Sequence, residues 1–366
     1  METESHEVIY ERGATQDSAE TQEENKALLK EINQLCKRQD RRKPEVIFLL
    51  GGAGVGKSAM VNTLGKVIRG KYYPKAKTGS GNAKSKTLTL QWYAHCGVED
   101  FELQPGVLVN FSVLPNVLDA PGNDNPNANE LREILEMVFE GCIPVGTSFD
   151  YLRAALKRVK ASGSELSFTS SEELKVTKVV FVVSCTKDFP MQMVECLNEV
   201  LNSYDDKTGR QKYNIDVLVV ITKYDLVDGQ ERFRTDRRQE QITKEEYLEF
   251  KNKVAKNFSI EGAMQDNCIE WVSYVDGYSE DNPFIDNIAL KFLRQIMRPD
   301  RSKHKMENDP SSIAVPSRHE VEQRQMSGKE LTEDNHLYKQ YILIGLVFAC
   351  ALIAGTYKLV SKPASK

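Results

Sequence analysis

The sequence lacks the features that mark several common protein classes. Its 366 residues include seven cysteines, an odd number with no C-x-x-C pair, which argues for reduced thiols facing the cytosol and against a disulfide framework or zinc site. The net charge of −4 gives no electrostatic case for a nucleic-acid partner. Neither H-E-x-x-H nor G-x-S-x-G occurs, so zinc protease and serine hydrolase chemistry are not predicted. The acidic N-terminus has no apolar core and does not predict a signal peptide.

Composition divides the chain into five predicted regions. The first residues, to about residue 23, are acidic and predicted to be disordered. A helix is predicted from Glu24 to Arg38 because its apolar residues fall on one face; they are Leu28, Leu29, Ile32 and Leu35. The predicted regions are an acidic N-terminal region with this amphipathic helix (1–43), a folded domain (44–297), a flexible charged tether (298–337), a transmembrane helix (338–360) and a short basic tail (361–366).

The domain between residues 44 and 297 alternates between strand-like and helix-like segments. The strand-like runs are apolar and rich in Val and Ile, as expected of strands buried on both faces. They read EVIFLLG, TLTLQWY, GVLVNFSVL, KVVFVVS, DVLVVITK and CIEWVSY. The helix-like segments that separate most of them include NELREILEMVFEGC, PMQMVECLNEVLNS, TKEEYLEFKNKVAKNF and PFIDNIALKFLRQIM. The alternation predicts a three-layer α/β fold in which helices cover a mainly parallel sheet.

The apolar segment near the end of the chain has the character of a transmembrane helix. Tyr341 to Tyr357 contains no charged residue, and a helix of this length rises about 25 Å, slightly less than the hydrocarbon thickness of a bilayer. Lys358 can snorkel, and the two tyrosines can lie at the interfaces. A buried helix of the soluble domain is the alternative, but the polar tether separates this segment from any core. We expect a single-pass, tail-anchored protein with its folded domain in the cytosol, on the mitochondrial outer membrane or the endoplasmic reticulum.

A glycine-rich turn joins the first strand-like run to a helix-like segment. Gly51 to Ser58 reads G-x-x-x-x-G-K-S, the pattern of a phosphate-binding loop in the strand–loop–helix context that such a loop requires. Glycines let backbone N–H groups turn toward phosphate oxygens, and the helix N-terminus favours their negative charge. Lys57 is expected to bind the β- and γ-phosphates, and Ser58 to bind Mg²⁺. The residues predicted to contact the nucleotide here are Gly51, Gly52, Ala53, Gly54, Val55, Gly56, Lys57, Ser58 and Ala59.

Two further motifs follow apolar runs later in the chain. VLDAPG places Asp119 and Gly122 in a D-x-x-G, where the aspartate can hold Mg²⁺ and the glycine N–H can sense a γ-phosphate. VVITKYD places Thr222, Lys223 and Asp225 in a T-K-x-D. With these motifs in order, the sequence resembles the P-loop GTPases. The resemblance implies that the Asp225 carboxylate accepts hydrogen bonds from guanine, which adenine cannot donate, and that the Lys223 stem packs along the base. The implied ligands are GTP or GDP with Mg²⁺, and an ATPase is disfavoured.

The resemblance also assigns roles to residues outside these motifs. Ser273, in VSYVDG, is the candidate for a serine that touches the base. Thr78 and Thr87 are candidates for a threonine that binds Mg²⁺, and Thr87 is preferred because it stands just before a strand. Asn123 follows the D-x-x-G, where many GTPases place a glutamine that positions the attacking water, and its shorter side chain predicts slow hydrolysis. Lys57 and Asn123 are the predicted catalytic residues; the sequence marks no arginine that would reach the phosphates in cis.

Features beyond the nucleotide motifs look like those of the interferon-induced protein 44 family, across residues 44–297. They are a helix ending VFEGCIP, a late IALKFLRQIM helix and a C-terminal anchor. The anchored design is also similar to the immunity-associated GTPases and, more distantly, to septins. The membrane segment departs from the first family, whose members are expected to be soluble.

Two functions are compatible with these expectations. The first is a membrane-tethered GTP-binding protein, a slow GTPase whose loops at residues 78–87 and 122–129 differ between its GTP and GDP states. The second is a structural scaffold that binds GTP without turnover and forms homo-oligomers across the nucleotide face, as septins do.

Overall fold

Six strands and seven helices make up the described part of the chain. The computed structural model describes residues 3–38, 43–78, 87–97, 113–122, 127–163, 168–233, 241–258, 267–276 and 281–298, with the backbone alone for residues 3–16 and for Glu231. The strands are β1 (Val46–Leu50), β2 (Gln91–Tyr93), β3 (Asn116–Asp119), β4 (Lys178–Ser184), β5 (Asp216–Thr222) and β6 (Cys268–Trp271). The helices are α1 (Thr3–Cys36), α2 (Lys57–Arg69), α3 (Ala128–Phe139), α4 (Phe149–Ser162), α5 (Met191–Leu201), α6 (Lys244–Asn257) and α7 (Pro283–Ile296).

The strands form one sheet in the order β2-β3-β1-β4-β5-β6. β2 runs antiparallel to β3, and the other neighbouring pairs are parallel, so the prediction of a mainly parallel sheet is confirmed. The register pairs Leu49 with Asp119, Ser184 with Thr222, and Thr222 with Trp271. The carboxyl ends of the five parallel strands therefore meet along one edge of the sheet, where ligands bind in open α/β folds.

Helices pack on both faces of the sheet, which gives the predicted three layers. Phe48 of β1 belongs to a core formed with α3, α4, α5 and α6, whereas its neighbour Leu49 belongs to a core formed with α1, α2 and α7. Phe181 and Val182 of β4 divide between the two cores in the same way. Every residue of β1 and β4 is buried, which explains the continuous apolar runs VIFLL in β1 and VVFVV in β4.

The helices differ in how their first turns are capped. The Asn127 side chain accepts hydrogen bonds from N–H groups in the first turn of α3, and Thr243 forms a reciprocal capping box with Glu246 at α6. Such side chains satisfy donors that the helix itself cannot pair. α2 instead begins after Gly56, which has a φ of 100° and caps the helix without a side chain. The N-terminus of α2 thus has the form of an anion-binding helix end.

The N-terminal helix is longer than predicted. α1 begins at Thr3, which contradicts the prediction of disorder up to about residue 23. A physical reason is that lengthening a helix costs little once a turn is formed, and the later part of α1 is fixed by packing. Of the predicted apolar face, Leu28 and Ile32 are buried and Leu29 and Leu35 partly buried, and Cys36 joins them in the core shared with α2 and α7.

Polar contacts join α1 to α7 beside that core. Asn25 Nδ2 donates to the carbonyl oxygen of Pro283 at 2.8 Å, and Asn287 Nδ2 donates to Asn25 Oδ1 at 3.0 Å. Glu24 and Lys291 form an ion pair at 2.9 Å on the exposed side. The N-terminal helix is therefore part of the packed structure rather than an appendage of the sheet.

Several predictions fall on residues outside the described part of the chain. They concern most of the predicted strand GVLVNFSVL, the residue Asn123, the tether and the predicted transmembrane helix at residues 338–360. Among the helices that are described, none combines the length and apolar character needed to cross a bilayer.

Candidate functional site

The segment between β1 and α2 forms a tight loop at the carboxyl edge of the sheet. Gly54 and Gly56 have φ values of 68° and 100°, in the left-handed region that favours glycine. A Cβ on Gly51 would lie 2.2 Å from the carbonyl oxygen of Val182 in β4. The path of the loop and its approach to β4 therefore both require the glycines that the sequence places here.

Lys57, the first residue of α2, folds back onto this loop. Its Nζ donates hydrogen bonds to the carbonyl oxygens of Gly51 at 2.8 Å and Gly52 at 2.9 Å. The side chain is buried, and a buried ammonium group is costly unless hydrogen bonds satisfy it. The loop carbonyls thus hold a positive charge beside the backbone that is predicted to bind phosphate.

Ser58, Thr87 and Asp119 meet next to the loop. The Ser58 hydroxyl donates to Asp119 Oδ2 at 2.8 Å and lies 3.0 Å from Thr87 Oγ1, which is 3.4 Å from the same carboxylate oxygen. Asp119 is completely buried, and its Oδ1 has no hydrogen-bond partner among the described residues. Burial raises the pKa of Asp119, against the opposing effect of Lys57. Its charged form therefore needs a further cationic partner.

These three side chains fit a magnesium ion. They supply two hydroxyl oxygens and a carboxylate with an unsatisfied oxygen, which are the hard ligands that Mg²⁺ prefers. Across the described ranges there is no group of three or more His, Cys, Asp and Glu side chains that could hold a metal.

The structure separates the two candidate threonines. Thr78 Oγ1 donates at 2.6 Å to Oδ2 of Asp276, a residue on the loop that follows β6. Tyr72 OH donates to the other oxygen of the same carboxylate. Thr87 instead contacts Ser58, as described above. Of the two, Thr87 is the one that the structure brings to the predicted metal ligands.

Gly122 packs the D-x-x-G motif against the phosphate-binding loop. A Cβ on Gly122 would lie 2.4 Å from Ala53 Cα and 2.8 Å from the carbonyl oxygen of Gly52, distances at which backbone atoms clash. Glycine is therefore the residue that permits the two motifs to approach each other. The following residue, Asn123, is not among the described residues, and its predicted role stays a prediction.

The T-K-x-D motif lies at the end of β5, on the other side of the loop. Thr222 Oγ1 is 2.6 Å from the carbonyl oxygen of Val55 and 3.0 Å from that of Val183. Lys223 has a left-handed backbone with a φ of 61°, and Asp225 follows in a short turn with 9% of its surface exposed. The hydrogen bonds of Thr222 therefore connect the predicted base-binding motif to both the loop and β4.

The turn after β4 contributes two residues that the sequence analysis did not select. Cys185 Sγ donates to the carbonyl oxygen of Lys223 at 3.3 Å, and Lys187 Nζ donates to the carbonyl oxygen of Ala53. Burial, together with the Asp225 carboxylate, raises the pKa of Cys185 to about 12. Ligands bind at the carboxyl ends of parallel strands. The polar sequence SCTKD at the end of an apolar run could therefore have marked this turn as part of the site.

Ser273 lies after β6 at the same edge of the sheet. Its Oγ accepts a hydrogen bond from Trp271 Nε1 at 2.8 Å. The next residue, Tyr274, is held to α2, because its N–H donates to Thr63 Oγ1 at 3.0 Å and Lys66 Nζ donates to its hydroxyl at 3.1 Å. The structure thus places Ser273 on a fixed loop at the predicted edge, with its hydroxyl engaged by the tryptophan.

Comparison with known proteins identifies no family for the chain. No family model matches it, and no curated protein matches it. Similar solved structures include Era from Aquifex aeolicus bound to GDP and AlF4− (12% identity, 70% of this chain, TM-score 0.32) and Era in complex with MgGDPNP and part of 16S ribosomal RNA (12% identity, 70% of this chain, TM-score 0.31). A third is the SRb-GTP/SRX complex of the signal recognition particle receptor from Chaetomium thermophilum, with 14% identity over 70% of this chain and 98% of that chain and a TM-score of 0.29. The chain spans 58% of the length of the two Era structures. The functional assignment therefore rests on the geometry of the site.

Proposed function

We propose that this protein binds GTP and GDP together with Mg²⁺ and hydrolyses GTP slowly. The observation that carries the proposal is the contact of Ser58 with Asp119 and Thr87 at the start of α2. It joins the phosphate-binding loop, the D-x-x-G motif and a threonine from a third segment into one set of oxygen ligands. Such an arrangement suits the electrostatic needs of phosphoryl transfer, in which positioned charges stabilise the phosphate oxygens.

The phosphates would be bound by the loop and by the N-terminus of α2. Lys57 would exchange the carbonyl oxygens of Gly51 and Gly52 for phosphate oxygens, which carry more negative charge and make stronger hydrogen bonds with an ammonium group. Ser58, Thr87 and Asp119 would hold Mg²⁺, which neutralises negative charge on the phosphates when bound.

The guanine base would be recognised at the other end of the site. By the resemblance to P-loop GTPases, Asp225 accepts hydrogen bonds from the base, and the Lys223 stem packs along it. In support, Thr222 binds the carbonyl oxygens of Val55 and Val183, which sets the motif at a fixed distance from the loop. Ser273 stays the candidate for a further contact to the base.

Titration of the full-length protein in detergent micelles with GTP, GDP and ATP, with and without Mg²⁺, tests this proposal. We expect both guanine nucleotides to bind and ATP to bind much more weakly, because adenine cannot donate the hydrogen bonds that Asp225 accepts. Equal affinity for ATP and GTP would contradict the assignment of guanine. Identification of the nucleotide that co-purifies gives an independent check.

Slow turnover is part of the proposal and follows from Asn123. Its amide is one methylene shorter than the glutamine found in many GTPases and would reach less far toward the γ-phosphate. If a partner copy completes the site, specific activity should rise with protein concentration. Fast turnover by dilute monomer would contradict slow intrinsic hydrolysis, and unchanging occupancy by GTP or GDP would favour the structural scaffold instead.

We propose in addition that residues 338–360 anchor the protein in a membrane with its α/β domain in the cytosol. The uncharged run from Tyr341 to Tyr357 supports this, because such a segment is stable in hydrocarbon. Deletion of residues 338–366 should release the protein into the soluble fraction. Continued pelleting with membranes in high salt would place the anchor elsewhere.

We also propose that residues 44–297 are related to the interferon-induced protein 44 family, on the sequence features that resemble it.

A further inference from the structure

A second lysine lies on the phosphate-binding loop beside Lys57. Lys57 binds the carbonyl oxygens of Gly51 and Gly52, and Lys187 donates to the carbonyl oxygen of Ala53, the next residue of the loop. The Lys187 ammonium group also lies 3.4 Å from the position that a Cβ on Gly54 would occupy. Three consecutive carbonyl groups of the loop are therefore bound by two lysine side chains.

A third ammonium group is close by. Lys223 Nζ donates to Thr186 Oγ1 at 3.1 Å, in the same turn that carries Lys187. Burial and the neighbouring Lys187 lower the pKa of Lys223, as expected when like charges lie close together. Positive charges that lie close together repel each other, so an anion bound beside Lys187 and Lys223 would be stabilised by both.

Lys187 is bound to the part of the loop that packs against Gly122. The backbone of Ala53, to which Lys187 is bound, packs directly against Gly122. Gly122 is the glycine of the D-x-x-G motif, which by the resemblance senses the γ-phosphate. Lys187 therefore contacts the residue of the loop that lies next to the predicted position of the terminal phosphate.

The turn after β4 holds this lysine in place while leaving its side chain accessible. The N–H of Lys187 donates to the carbonyl oxygen of Ser184 at 3.1 Å, and Ser184 Oγ lies 2.9 Å from Thr186 Oγ1. Phe189 is buried in the core two residues later. The Lys187 side chain itself is half-buried, so its ammonium group can change partners without movement of the turn.

We infer that Lys187 is a phosphate-binding residue that exchanges Ala53 for the terminal phosphates of GTP. This inference rests on the proposed function and adds to it a positive charge supplied in cis from the turn after β4. The charge reaches the phosphates without an arginine and without a second protein. It should matter more for GTP than for GDP, because the γ-phosphate adds negative charge at the end of the loop where Lys187 lies.

Substitution of Lys187 by glutamine, which removes the charge and keeps a hydrogen-bonding side chain, tests this inference. Titrations of the full-length variant use a non-hydrolysable GTP analogue, GDP and guanosine. We expect affinity for the analogue to fall by about 10-fold or more, the usual loss for one charge-assisted hydrogen bond. Affinity for GDP should fall less, and affinity for guanosine should not change. Lys187→Arg should retain most of the binding of the analogue.

Lys207→Gln is the matched control, because Lys207 is exposed in the turn before β5 and the substitution makes the same change of net charge. Unchanged affinity of Lys187→Gln for the analogue would overturn the inference, as would an equal loss for guanosine, which would indicate altered loop packing. If the wild-type protein binds ATP and not GTP, the guanine assignment fails, and the same comparison with an ATP analogue and adenosine still tests Lys187. Wild-type protein that binds no nucleotide would overturn both proposals.

Discussion

The two halves of the candidate site are built in different ways. In the phosphate half, backbone packing dominates: a Cβ on Gly51 or Gly122 would meet backbone atoms at 2.2 and 2.4 Å. In the base half, side chains make the connections, as when Thr222 reaches Val55 and Val183. The phosphate half therefore has no room for a side chain at Gly51 or Gly122, whereas the base half depends on the identity of its side chains.

This difference predicts different responses to substitution. Changes in the phosphate half should weaken binding of every nucleotide, because backbone and lysine charges recognise phosphate without regard to the base. Changes in the base half should alter which nucleotide binds, because hydrogen-bonding groups discriminate between purines.

The largest effect is expected from Lys57→Ala. The ammonium group now makes two hydrogen bonds to loop carbonyls, and in the proposed complex it makes a similar number to phosphate. Loss of two charge-assisted bonds should weaken GTP by about 3–6 kcal/mol, and GDP, which lacks the γ-phosphate, by about half as much. Titration calorimetry measures the loss, and a preference that shifts from GTP toward ATP would contradict the division between the halves.

The second effect, from Asp225→Asn, should be a change of specificity. Loss of a largely buried carboxylate that accepts two hydrogen bonds should weaken GTP by about 2–5 kcal/mol. Xanthine presents an acceptor where guanine presents a donor, so xanthosine triphosphate should bind the variant more tightly than it binds the wild-type protein. Competition between the two nucleotides gives the measurement. Weaker binding of both by the same factor would indicate a structural role for Asp225.

The sequence predicted the local motifs better than the contacts between distant segments, for a physical reason. The loop and its lysine lie within eight consecutive residues, so one motif describes their geometry. The contact of Lys187 with Ala53 instead joins residues 134 positions apart, and it depends on β4 lying between β1 and β5. The same limit applies to Cys185, whose partner Lys223 follows the next strand of the sheet.

The helices were predicted in part. α7 was predicted, and its Ile285, Leu290 and Leu293 belong to a long buried face. α4 was not among the helices named from the sequence, although it buries Phe149, Leu152 and Leu156 at helical spacing.

The third prediction tests the packing of the phosphate half. In Gly122→Ala the new methyl group would lie 2.4 Å from Ala53 Cα, so the loop must shift. We expect a loss of about 1–3 kcal/mol in the free energy of unfolding, as for other overpacked positions. Binding of a GTP analogue should weaken more than that of GDP, because Gly122 faces the predicted γ-phosphate position.

Gly163→Ala is the control for Gly122→Ala. A Cβ there would meet no atom within 4 Å, so its cost is limited to the left-handed backbone, about 1–2 kcal/mol. Denaturant unfolding and the same titrations should show reduced stability with unchanged nucleotide affinity. Equal effects of the two substitutions on binding would show that the contact between Gly122 and Ala53 is unimportant.

The smallest effect is expected from Cys185→Ala in the base half. The thiol donates to the carbonyl oxygen of Lys223, and because its pKa is raised to about 12 it stays a neutral donor at physiological pH. Removal of this weak bond and of the buried sulfur should lower the free energy of unfolding by about 1 kcal/mol. GDP affinity should fall by no more than about 3-fold, since the loop and its lysines are untouched.

Two variants serve as controls. Cys185→Ser keeps a donor and should recover part of the loss. Cys142→Ala removes a half-buried thiol that lies 3.9 Å from the carbonyl oxygen of Glu140, and it should leave binding unchanged. A loss of GDP affinity as large as that of Asp225→Asn would show that the turn after β4 contacts the base directly rather than only supporting Lys223.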